Sequence, residues 1–180
     1  MLGLLDKYSR KDRLKVKCVI MDMSSLFNGV VKACFPNAII IADRYHVVRQ
    51  VIWAMENVRK RVQKSLSAEW RKYFKRSRYL LDKNPDKLTD EEKDKLRVIL
   101  GISQELEYAY NLKNVFLELM KSPNSSVGKE KLSNWLYFAE NSALPEFRAC
   151  TTAFHNWSNE ITNSFDYSYS NGFTEGCNNK

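Results

Sequence analysis

Asp22 and Asp43 each close a short apolar run: Val16 to Met21 for the first, Ala38 to Ala42 for the second. A third acid, Glu175, stands far downstream in Ser170-Asn171-Gly172-Phe173-Thr174-Glu175-Gly176-Cys177-Asn178-Asn179. Carboxylates at the ends of neighbouring buried strands offer hard oxygen ligands to a divalent cation. A cation held this way supports phosphoryl chemistry at neutral pH. The ordinary alternative is that an aspartate after a strand serves as a helix cap or turn residue. His46 follows Asp43 by three residues. It either contacts phosphate or water at such a site or simply packs and hydrogen-bonds. Arg44 is placed to pair with an acid or with a nucleic acid.

The elements that would position these groups are legible. Val16-Lys17-Cys18-Val19-Ile20-Met21 and Ile39-Ile40-Ile41-Ala42 read as buried strands. Between them Leu26, Phe27, Val30, Val31 and Cys34 recur at helical spacing, with Ser24 as the expected N-cap and Pro36 as the stop. Strand, helix, strand is a βαβ unit, with parallel strands that are adjacent or one place apart. Functional groups in open parallel sheets gather at the carboxyl ends of strands, where both aspartates stand.

From His46 to Phe165 the signals are helical. Val47, Val51, Met55, Val58, Val62 and Leu66 form one apolar stripe. Asn84-Pro85 interrupts the helical region, and Thr89-Asp90-Glu91-Glu92 restarts it as a capping box. Ser122 to Ser126 is a loop, and Pro145 opens a last long helix with Phe147, Cys150, Phe154, Trp157 and Ile161 on its core face. Asn171 is then placed to cap a helix carrying Glu175, with Asn178 and Asn179 on the same face. The sequence stops at Lys180 with that helix barely begun, which reads as a truncated piece. The expected division is 1–48 core, 49–165 helical insertion, and 166–180 return to the core.

The net charge is +8, and residues 49–78 hold ten Lys/Arg against Glu56 and Glu69, an excess equal to the whole. Charge concentrated in this way points to a polyanion, nucleic acid first. Within it, Trp70-Arg71-Lys72-Tyr73-Phe74-Lys75-Arg76-Ser77-Arg78-Tyr79 interleaves cations with aromatic rings. The cations would neutralise phosphates, and Trp70, Phe74 and Leu81 would pack inward. Four cysteines without a Cys-x-x-Cys pair, and two histidines, make a structural zinc site a poor fit. Cys18 and Cys34 read as small core residues. No apolar stretch approaches the ~20 residues of a membrane span, and the expected location is the bacterial cytoplasm. Neither strand is followed by a glycine-rich phosphate loop, which argues against a nucleotide-binding α/β enzyme.

Three segments together resemble one family: Met21-Asp22-Met23-Ser24; Phe35-Pro36-Asn37-Ala38 through Ala42-Asp43-Arg44-Tyr45-His46-Val47-Val48; and Ser170-Asn171-Gly172 with Glu175-Gly176-Cys177-Asn178-Asn179-Lys180. They are similar to the DDE transposases of bacterial insertion sequences, ISL-three group. The resemblance implies an α/β, mostly helical fold: a partial ribonuclease-H-like core (βαβ plus C-terminal helix) interrupted by a large all-α insertion. It implies Asp22 and Glu175 as the second and third catalytic carboxylates and Asp43 as an accessory acid, together binding Mg²⁺ or Mn²⁺. The first catalytic aspartate would then lie upstream of Met1, leaving this chain inactive by itself. A second alignment makes Asp22 and Asp43 the first two acids. The implied partners are double-stranded DNA, as transposon ends and target, and further copies in a full-length homo-oligomer. DNA contacts are expected from Arg71, Lys72, Lys75, Arg76, Arg78, Asn178, Asn179 and Lys180. The competing reading is a non-catalytic helical DNA-binding or assembly module.

Overall fold

The computed structural model of the protein describes residues 7–76 and 78–167. A short helix, α1 (Arg10–Arg13), precedes strand β1 (Cys18–Met21), helix α2 (Ser25–Cys34) and strand β2 (Ile39–Ala42). The two strands pair directly and in parallel, Cys18 beside Ile39 through Met21 beside Ala42. The alternative in which they stand one place apart is thereby removed. Both strands are shorter than the apolar runs that announce them at the N-terminal side. Ser24 holds the N-cap position of α2 with extended backbone, but its hydroxyl makes no capping bond. Phe35 ends that helix, directly before Pro36, whose ring cannot continue it.

Helix α3 (Arg44–Lys64) runs straight out of β2. Its stripe Val47, Val51, Met55, Val58 and Val62 is buried, as the spacing requires. Then come α4 (Ala68–Arg76), α5 (Arg78–Asp82), a 3₁₀ turn at Pro85–Lys87, α6 (Asp90–Leu100), α7 (Gln104–Leu119) and α8 (Ser125–Glu140). The capping box at Thr89 and Glu92 is formed from both sides. Helix α3 packs along α7, and α7 along α8. Where these helices meet the 3₁₀ turn Pro145–Phe147 and α9 (Arg148–Asn156), an aromatic core assembles. The Phe116 ring lies 4.8 Å from Trp135 and 5.2 Å from Phe154, and Trp135 also approaches Phe147 at 6.2 Å. The Trp135 indole N–H donates to the Leu112 carbonyl at 2.8 Å, so a buried donor is satisfied inside the cluster.

The last long helix expected from the sequence is broken. Trp157 leaves helical geometry at φ −118° with its side chain buried, and a new helix, α10 (Ser158–Asn163), follows. This break turns the chain back onto the sheet. Helix α10 packs on β2, and Asn163 Nδ2 donates to the Ile40 carbonyl at 2.9 Å. Such a bond occupies a main-chain acceptor that an edge strand would otherwise leave open. Two residues on, Phe165 seats against Gly128 of α8, where an added Cβ would collide with the ring. Asp166 then accepts from the Ser125 amide at 2.7 Å at the start of α8. The helical excursion is therefore anchored at both ends to the same small sheet. Cys150 is buried, and burial pushes its thiol up to about 12; Cys18 and Cys34 are only half-buried, less enclosed than core residues would be.

Candidate metal centre

In the parallel register Met21 lies beside Ala42, so Asp22 and Asp43 occupy the next pair of positions. The Asp43 amide donates to the Met21 carbonyl at 2.9 Å, which extends the ladder to the acid itself. Adjacent strands stand about 4.8 Å apart. The two carboxylates thus share one sheet end for a reason of backbone geometry.

Asp43 is buried and makes two uses of its oxygens. Oδ1 accepts the Tyr45 amide at 3.0 Å and caps the 21-residue α3. Oδ2 lies 3.2 Å from His46 Nδ1. Asp22 is half-exposed, and its Oδ1 lies 2.8 Å from the same His46 nitrogen. The sequence left His46 between two roles, and its side chain bridges both acids. One ligand atom from each of Asp22, Asp43 and His46 falls within 4.8 Å of the others. That donor set, two carboxylate oxygens and an imidazole nitrogen, suits a divalent cation when further ligands complete its shell. The two alternatives posed for Asp43, cap or metal acid, are compatible: one oxygen caps while the other faces the cluster. Asp22 has no capping bond among the described residues, since the first turn of α2 takes nothing from it.

Arg44 binds neither an acid nor open solvent alone. Its guanidinium donates to the Met120 carbonyl at the end of α7 and lies over the Phe165 ring, 5.6 Å from the centroid. Burial lowers its pKa from the ordinary arginine value. This residue, next to Asp43 in sequence, therefore ties the site end of α3 to the far end of the helical excursion. Sequence reading missed that tie, and Gly128 was its one available signal: a glycine inside a helix marks a close approach. Glu175, Asn178, Asn179 and Lys180 lie outside the described residues.

The basic segment separates into two populations. Arg59 is buried and clamps Glu56 with Nε at 2.7 Å and Nη2 at 2.8 Å. Arg61 joins Glu105 at 2.7 Å and Glu146 at 2.6 Å, locking α3 to distant elements. Arg78 reaches Glu56 at 3.5 Å and Asp82 at 3.6 Å, so its charge is answered locally. Arg71, Lys72, Lys75 and Arg76 are exposed on α4 and form no ion pair among the described residues. Arg71 still donates Nε to the Leu66 carbonyl at 2.8 Å, which orients it. Phe74 and Leu81 are buried, as expected, but Trp70 is exposed and meets Tyr73 edge-on at 5.6 Å. Trp70 and Phe74, four residues apart, lie on the same side of the helix, and only Phe74 reaches the core.

Comparison with known proteins gives a consistent result. The family model of the ISL3-type DDE transposases, described as transposase, matches residues 1–180. The transposase for insertion sequence element IS1557 of Mycobacterium tuberculosis is 26% identical over 203 residues, covering 99% of this chain and 46% of that protein. The transposase for insertion sequence element IS1001 of Bordetella parapertussis is 25% identical over 171 residues, covering 92% of this chain and 41% of its own length. The chain thus spans less than half the length of these curated relatives. No solved structure matches significantly.

Proposed function

The chain belongs to the ISL-three group of DDE transposases, and from that premise we propose that it carries the later part of a catalytic core for DNA strand cleavage and joining. In this reading Asp22 is the second metal-binding carboxylate, Glu175 the third, and Asp43 an accessory acid on the same cation. The observation that carries the proposal is the pairing of Asp22 and Asp43 at one sheet end, with His46 facing both. When bound, a divalent cation there would polarise a phosphodiester and lower the pKa of a bound water or hydroxyl. Asp43 contributes rigidity, because its second oxygen is fixed by the cap of α3. His46 holds the exposed Asp22 toward Asp43 through a single nitrogen. The ribonuclease-H-like identity of the sheet belongs to the same proposal. So does double-stranded DNA as the substrate.

The test is a Mn²⁺ titration of the 180-residue chain, followed by calorimetry. Saturable binding that EDTA reverses is the expected outcome; no binding up to millimolar metal would remove the metal centre. Engagement of DNA is tested separately. The double substitution Arg71→Ala, Arg76→Ala should weaken binding to any duplex. It should also flatten the slope of log K against log salt by up to about two units, near 0.9 for each phosphate that is no longer neutralised. Unchanged affinity across that pair would take α4 out of the interface.

A further inference from the structure

Helix α3 leaves the acid cluster with a row of its own in which Tyr45 and Trp53 are exposed and Arg49, between them, is half-buried. Tyr45, Arg49 and Trp53 are spaced at four-residue steps and so stand on one side of the helix. Tyr45 is 59% exposed and Trp53 53% exposed. The Arg49 guanidinium lies over both rings, 4.1 Å from the Trp53 centroid and 5.8 Å from that of Tyr45. The row begins at the site: the Tyr45 ring meets the His46 ring edge-on at 5.3 Å. It extends away from the carboxylates for about 12 Å, eight residues at 1.5 Å each. Arg49 forms no ion pair among the described residues, so its charge is available to an anion.

We propose that Tyr45, Arg49 and Trp53 form a stacking site for unpaired nucleotides of the DNA strand whose phosphate is engaged at the acid cluster. The proposal rests on the DNA reading above and adds to it a platform for bases, outside the metal-binding groups. Aromatic faces accept any base by stacking, and an arginine between them answers the phosphate between successive nucleotides. A fully paired duplex presents no free base faces along its sides. The row therefore suits a frayed or single-stranded end. The cations of α4 supply a different service, neutralising a backbone without reading its strandedness.

The proposal is tested by fluorescence anisotropy with Ca²⁺ as the divalent cation, so that the acid cluster keeps a cation while binding is read. The probes are a labelled short duplex with an unpaired 3′ tail and the same duplex with a blunt end. Trp53→Ala should weaken binding to the tailed probe by about tenfold or more, within the range set by the loss of one base–aromatic stack. Binding to the blunt probe should be unchanged, and Trp53→Phe should restore most of the tailed affinity. Trp53 is half-exposed, so neither substitution disturbs the core. Equal affinity of wild type and Trp53→Ala for the tailed probe would overturn the proposal. So would an equal loss on both probes. A shift in the sedimentation of Trp53→Ala with tailed binding intact would instead assign the row to a protein interface, and also overturn it. If the wild type binds neither probe, the DNA reading itself fails, and this inference fails with it.

Discussion

Asp22→Asn and Asp43→Asn should each lower Mn²⁺ affinity by at least about tenfold, because even partners one shell further out cost 10–100-fold. The argument for Asp43→Asn is the sharper one. Asparagine caps a helix about as well as aspartate does, so the bond to the Tyr45 amide survives. What disappears is one negative charge and one hard oxygen at the cluster. Metal affinity and fold stability should therefore separate: calorimetry shows the loss while the urea midpoint barely moves. Asp43→Ala should show both effects, since removing the cap costs a further ~1 kcal/mol of stability. Asp22→Asn should leave stability untouched, because its carboxylate is half-exposed and caps nothing among the described residues. Wild-type Mn²⁺ affinity in both asparagine variants would show that this pair of acids is not a metal site.

The largest effect on stability is expected from Trp135→Ala, about 3–5 kcal/mol by analogy with other buried aromatic deletions. Trp135 is 1% exposed and touches Phe116, Phe147 and Phe154, rings contributed by three different elements. Its removal opens a cavity at the junction of α7, α8 and α9 and leaves the Leu112 carbonyl without its indole donor. Typical domains hold only about 5–15 kcal/mol in all. A midpoint shift of that size in urea denaturation would confirm that the helical excursion folds as one body with the sheet. A shift under ~1 kcal/mol would mean that the surroundings collapse to fill the space. The same core carries the Met120 carbonyl that receives Arg44 and the Gly128 groove that receives Phe165. Weakening it should therefore loosen the site end of α3 as well.

Much of the local structure was legible in the residues. The α3 stripe, the Thr89 capping box, the strand–helix–strand order and the acid at each strand end all depend on neighbours within a few positions. Short-range spacing and capping chemistry are enough to specify them. Other features lay beyond that reach. The break at Trp157 has no glycine or proline to announce it; it follows from where α10 must lie to meet β2. Arg59, Arg61 and Arg78 count as free charge in a sequence, yet each faces carboxylates in space.

By itself the sequence placed Asp22 and Asp43 at the ends of two strands, because an apolar run followed by an acid encodes the element and the residue that closes it at once. Only the tertiary structure decided that β1 and β2 are direct neighbours, that His46 spans Asp22 and Asp43, and that Arg44 is spent on Met120 and Phe165. Strand adjacency is a choice among topologies with the same local pattern. It is settled by the packing of elements more than a hundred residues apart, as the bond from Asn163 to Ile40 illustrates.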